Sequence, residues 1–150
     1  MRARTATVGD LEAVFSDLAN RFEEDYVSSG LGMRNTKDAF VMNLKEGRAY
    51  ALVEGDQPLA IVAWSERDGA VYTLFAARRT FFTASTVRFC KKHIRQIQAL
   101  EGNLPLRHRS WLDSPSVAKW FRLIGFVEHE GEPGSTLYEL PPARDSYRQL

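Results

Sequence analysis

The stretch Ser114 to Glu130, SPSVAKWFRLIGFVEHE, constrains the fold more than any other part of the chain. Val117, Trp120, Phe121 and Ile124 recur at helical spacing, which predicts a short helix with one apolar face. Gly125 follows at once and can supply the left-handed backbone that closes a last helical turn. Phe126-Val127-Glu128-His129 then reads as a strand. A helix that passes straight into a strand has to pack on the sheet that the strand joins, so a mixed α and β domain is expected.

The rest of the chain supplies the other elements. Arg2 to Ala6 is strand-like, and Thr7 with Asp10 forms a T-x-x-D capping signal. Leu11, Val14, Phe15, Leu18 and Phe22 fall on one helical face, which predicts a continuous helix with Glu12, Asp17, Glu23, Glu24 and Asp25 mostly off it. Ser28 to Asn35 reads as a loop and Thr36 to Glu46 as a second helix. Ala49–Val53, Pro58–Trp64 and Val71–Ala77 read as meander strands joined by tight turns. A long helix is expected from about Thr83 to Leu100, with Val87, Cys90, Ile94 and Ile97 inward. A strand from Leu106 to Leu112 and a last strand from Thr136 to Leu140 complete the pattern. Trp64, Trp111 and Trp120 are all expected in the core.

Composition narrows the function classes. A chain of 150 residues with 44% hydrophobic content is sized for one domain, with no internal repeat or linker. The net charge of +1 gives no global field for nucleic acid or an anionic membrane. Cys90 is the lone cysteine, so neither an intramolecular disulfide nor a cysteine zinc site is available. No His, Asp or Glu cluster has metal-ligand spacing. No apolar run approaches the ~20 residues that span a bilayer, and MRARTATVGD has no apolar signal core. A cytoplasmic protein, or one packaged in a particle made in the cytoplasm, is expected.

The order β-α-α-β-β-β-α-β-α-β-β, with the WFRLIGF ending, resembles the GNAT acyltransferase fold over nearly the whole chain, to about Leu140. The resemblance implies an α+β fold with a mixed, mainly antiparallel sheet and helices on both faces. It implies one domain over residues 1–140 and a tail over 141–150. In that family acetyl-CoA places its pyrophosphate at the start of the long helix, at Arg/Gln-x-x-Gly-x-Gly/Ala. Here Arg79-Thr80-Phe81-Phe82-Thr83-Ala84 stands in that place, so Arg79, Thr83, Ala84 and Ser85 would hold the cofactor if it binds. Backbone N–H groups and the helix dipole are the physical basis. Phe82 replaces the first glycine and is expected to crowd the loop unless its ring turns inward. The family's tyrosine acid reads Phe121, which has no proton to give. Ser114 stands where the family often has Asn, and the strand Val71–Phe75 has no carboxylate. His108 is the histidine that could act as a base, although a lone strand histidine is more often a hydrogen-bonded structural residue. No catalytic residue is assigned on this reading.

A narrower similarity is to the small GNAT-like internal virion proteins of short-tailed, T7-like phages. It rests on Pro58-Leu59-Ala60-Ile61, on Trp111 three residues before Ser114, and on Ile124-Gly125-x-Val127-x-His129-Glu130. It implies a catalytically degenerate GNAT-fold protein of a tailed phage, without a cofactor, acting as a virion or assembly-associated binding protein. The alternative is an acetyl-CoA-dependent N-acetyltransferase acting on an amine of a small molecule or protein. For a partner surface the sequence offers a basic stripe, Arg78, Arg88, Lys92 and Arg95, beside Phe81 and Phe82. The expected partner is another virion protein or a second copy, and nucleic acid is not indicated.

Overall fold

The computed structural model describes residues 1–144. The elements are β1 (Arg2–Thr5), α1 (Val8–Phe15), α2 (Asn20–Ser28), α3 (Gly32–Lys45), β2 (Ala49–Glu54), β3 (Gln57–Arg67), β4 (Ala70–Ala77), α4 (Ala84–Leu100), β5 (Leu106–Ser110), α5 (Pro115–Leu123), β6 (Val127–Glu130) and β7 (Thr136–Leu140). The strands make one seven-stranded sheet in the order β1-β2-β3-β4-β5-β7-β6. Every neighbouring pair is antiparallel except β4 with β5. Helices α1, α2 and α3 pack on one face, α4 and α5 on the other. Ala60 to Trp64 of β3 are buried without a break, as a strand covered on both faces should be.

Local chemistry explains the boundaries. Thr7 and Asp10 close a capping box at α1, and Arg4 pairs with the Asp10 carboxylate. Asp68 and Gly69 both have positive φ and join β3 to β4 in a two-residue hairpin turn. At the end of α5 the Phe126 N–H bonds the Phe121 carbonyl and the Gly125 N–H bonds that of Arg122. This is the Schellman pattern, and Gly125 at φ 105° makes it possible. A Cβ there would also meet Leu140 Cδ1 at 3.3 Å.

Three expectations are corrected. The continuous helix from Leu11 to Phe22 is broken: α1 ends at Phe15 and α2 begins at Asn20. The Ala19 N–H bonds the Ala77 carbonyl, the Arg79 N–H bonds that of Asp17, and Leu18 bridges to Arg78. The end of β4 thus takes the backbone groups that a continuous helix would use. The expected loop before Thr36 is already helical from Gly32. Trp111 is only half-buried, whereas Trp64 and Trp120 are core residues. Of the expected tail, residues 145–150 lie outside the described residues. The Pro141 carbonyl accepts from Arg95 and Gln98, and the Ala143 backbone pairs with the Asn103 side chain.

Candidate active site

Strands β4 and β5 pair only at Val71–Leu106 and Tyr72–Arg107. Beyond those residues they part. The C-terminal half of β4 then meets other groups along the edge that faces β5. The Thr73 carbonyl lies 3.1 Å from His108 Nδ1, the Phe75 carbonyl accepts the Tyr26 hydroxyl at 2.5 Å, and the Ala77 carbonyl accepts the Ala19 N–H at 2.9 Å. His108 therefore stands in the mouth of the gap. Its ring stacks on Phe121, centroids 4.9 Å apart, and Phe121 stacks on Tyr138 at 4.2 Å.

Burial pushes the His108 imidazole down to about 4, against a smaller opposing pull from the Thr73 carbonyl. The ring is neutral at pH 7. With Nδ1–H donating to Thr73, the lone pair resides on Nε2, which makes no hydrogen bond among the described residues. Held down to about 4, the ring keeps a free lone pair at neutral pH but is a weaker base than an ordinary imidazole.

Three spaces meet at His108. On the α2–α3 face a groove of about 490 Å³ is lined by Asp25, Tyr26, Asn43, Arg67, Tyr72, Arg109 and Trp111, among others. On the other side the way inward between α2, β4, β5 and α5 narrows to about 20 Å³. Phe82 fills it: the ring stacks on Phe22 at 5.9 Å and meets Trp120 edge-on at 5.0 Å, and the Arg21 guanidinium lies 3.8 Å over it. Deeper, an apolar cavity of about 40 Å³ is lined by Cys90, His93, His108 and Trp120, among others. Burial raises the Cys90 thiol to about 12, which leaves it a small hydrophobe.

Each residue singled out in the sequence can now be placed. Arg79, Thr83, Ala84 and Ser85 surround the start of α4 and are all exposed. Thr83 caps the helix through the Thr86 N–H, and Ser85 Oγ lies 3.1 Å from Thr83 Oγ1. The N–H groups of Ala84 and Ser85 have no intrahelical partner. Arg79 leans on Asp17 at 3.6 Å. Phe82 turns inward, so its ring does not cover the outer side of this turn. These residues fit a diphosphate. The arm of coenzyme A would find its way inward filled by Phe82 and Trp120. Ser114 makes no capping bond to the backbone of α5, its hydroxyl instead lying 3.0 Å from Ser116 Oγ.

The basic stripe is thinner than expected. The Arg78 Nε donates to the Pro58 carbonyl and NH1 faces Asp17, while Arg95 donates to Gln98 and Pro141. Arg88 and Lys92 are exposed. Asp25, Arg67 and Arg109 are not singled out by the sequence, since pattern alone places Asp25 on a solvated face, Arg67 in the turn after the second meander strand and Arg109 at an unremarked strand position; the structure extends β3 to Arg67. Among the described residues no three His, Cys, Asp or Glu side chains cluster as a metal site, and no helix is long and apolar enough to cross a membrane.

The fold is found in known structures. The chain is similar to the PaiA N-acetyltransferase of Thermoplasma acidophilum in complex with coenzyme A, with a TM-score of 0.66 at 11% identity over 95% of this chain and 98% of that one. It is similar to an agmatine N-acetyltransferase variant in its apo form, TM-score 0.67 at 10% identity, covering 93% and 98%. It is also similar to a GNAT-family acetyltransferase of Bacillus cereus, TM-score 0.63 at 13% identity, covering 95% and 98%. No protein-family model matches the sequence. No curated protein matches it either. The chain has the GNAT fold; at these identities the likeness speaks for the fold alone.

Proposed function

We propose that this protein is an N-acyltransferase that moves an acyl group from a coenzyme A thioester to an amine. The observation that carries the reading is His108. Its neutral ring is oriented by the Thr73 carbonyl, stands where β4 and β5 part, and borders the groove on the α2–α3 face. An amine in that groove would lose its proton to Nε2 as the new C–N bond forms. Arg79 and the first turn of α4, Thr83 to Ser85, would hold the diphosphate. Coenzyme A supplies the activated acyl group when bound. Phe121 cannot donate a proton, but a thiol has a pKa near 8.5 and leaves readily as a thiolate without an acid. The test is calorimetry with acetyl-CoA together with thiol release in the presence of amines. Micromolar binding and amine-dependent release are expected; neither binding nor release at millimolar acetyl-CoA would overturn the reading.

A second reading has its own observation. Phe82, Phe22 and Trp120 fill the way inward, and three carbonyls on the parted edge of β4 already have partners. On that reading the scaffold is catalytically degenerate and a surface binds a partner. The phage and virion roles rest on the sequence resemblance alone. A crystal soaked with acetyl-CoA decides between the two: the ring of Phe82 swings aside, or the ligand is absent.

A further inference from the structure

The groove on the α2–α3 face has an unbalanced charge. Its one acidic lining residue, Asp25, is committed elsewhere: its Oδ1 accepts the Trp111 N–H at 2.6 Å and it bonds the Ser110 side chain. Burial holds its carboxyl above the usual range, so it is a poor counter-ion for a cationic ligand. Two arginines line the same space. Arg67 lies 4.2 Å over the Tyr72 ring, a contact that leaves its N–H groups free to bond. Arg109 bonds the mostly exposed Glu132 through NH1 at 3.2 Å, while its Nε is buried without a hydrogen-bond partner. A buried guanidinium N–H without an acceptor is costly to maintain. An incoming anion would satisfy it. The Asn43 side chain, buried in the same wall, makes no hydrogen bond among the described residues.

We infer that the acceptor is an amine that also carries a carboxylate, an amino acid or a close relative, whose carboxylate is taken by Arg109 with help from Arg67. This rests on the N-acyltransferase reading for the fate of the amine, and on the groove alone for the anion. A guanidinium presents parallel N–H donors that match a carboxylate. Neighbouring strand side chains point to opposite faces, but His108 sits at the parted edge and, like Arg109, lines this groove, so the anion and the nucleophilic nitrogen belong to one small molecule. A volume of about 490 Å³ suits a ligand of that size. In the reaction the amine nitrogen bonds the acyl carbon, the carbon–sulfur bond breaks, the electron pair leaves with sulfur, and the amine proton goes to His108 Nε2.

The experiment is ligand-observed NMR on the full chain without coenzyme A. The probes are the standard L-amino acids and, for matched members, the amine lacking the carboxylate and the acid lacking the amine. At least one amino acid and its deaminated acid should bind, and the decarboxylated amine should not. Arg109→Gln should weaken that binding by about tenfold or more, as loss of a charge-assisted pair does. Arg67→Gln, at an exposed position, serves if Arg109→Gln fails to fold, and should weaken binding less. Binding of the decarboxylated amines at least as tight as that of the amino acids would overturn the inference, as would no binding by any probe. Amino-acid binding in a protein that ignores acetyl-CoA would leave the groove assignment standing and remove the transferase reading instead.

Discussion

At the scale of single residues His108 matters most, because one ring does two jobs. It replaces the next rung of the β4–β5 ladder by bonding the Thr73 carbonyl, and it is the base of the proposed acyl transfer. Its neutral state follows from burial, which favours the uncharged form against the opposing pull of the Thr73 carbonyl. Burial also has a stability consequence with a definite sign. The unfolded ring takes a proton near 6.5 and the folded ring near 4, so the unfolded state binds more protons between those values. The stabilisation is complete above pH 6.5 and is lost as pH falls toward 4, by about 3 kcal/mol at most. His93 is also lowered by burial and adds to the slope, while the raised carboxyl of Asp25 opposes it. Melting temperature should fall across this window, and His108→Asn should flatten the fall. A wild-type melt independent of pH there would show that the folded ring titrates normally. Acyl transfer, if measured, should be lost in the same variant. The sequence offers both a base and a structural role for this histidine but not its partner, because the Thr73 carbonyl that orients it lies 35 residues away.

At the scale of elements, what was legible is what local chemistry decides. The Thr7–Asp10 box, the turn at Asp68-Gly69 and the Gly125 stop all act within a few residues; the box and the stop appear where the sequence places them, and the turn, expected over Glu66 to Gly69, narrows to its last two residues as β3 runs on to Arg67. The break between α1 and α2 was not legible, because the groups that compete for residues 16–19 come from the end of β4. The side toward which Phe82 points was not legible either. It depends on Phe22 and Trp120, which lie on α2 and α5. Helix α5 carries two predictions. Trp120 is 7% exposed and touches Phe75, Phe81 and Phe82, so Trp120→Ala should cost about 3–5 kcal/mol in a denaturant melt. An unchanged midpoint would mean that α5 is not anchored on the sheet. Phe82→Gly should cost less, roughly 2–3 kcal/mol for a half-buried ring, and should tighten acetyl-CoA binding by clearing the way inward. If affinity does not rise, Phe82 is not the obstruction.

At the scale of the whole molecule the sheet divides the labour. One face, under α2 and α3, offers the groove with Arg67 and Arg109; the other, under α4 and α5, is apolar and nearly filled. Outside both lies the basic side of α4. Helical spacing suggests a stripe of four cations, but Arg78 and Arg95 are spent on carbonyls of the chain itself. Arg88 and Lys92 remain, one helical turn apart and both exposed. A pair of exposed charges contributes little to folding. It acts on a partner only at short range, within about 8 Å at physiological ionic strength. Reversing both, Arg88→Glu with Lys92→Glu, should therefore leave the melting temperature within the equivalent of about 0.5 kcal/mol. The same variant should lose any salt-sensitive association that the native protein shows in sedimentation, with a second copy or with an acidic protein. Association that survives both the reversal and added salt would make this stripe an ordinary solvated helix face. A variant that melts early would instead show that α4 is held by contacts from these two side chains.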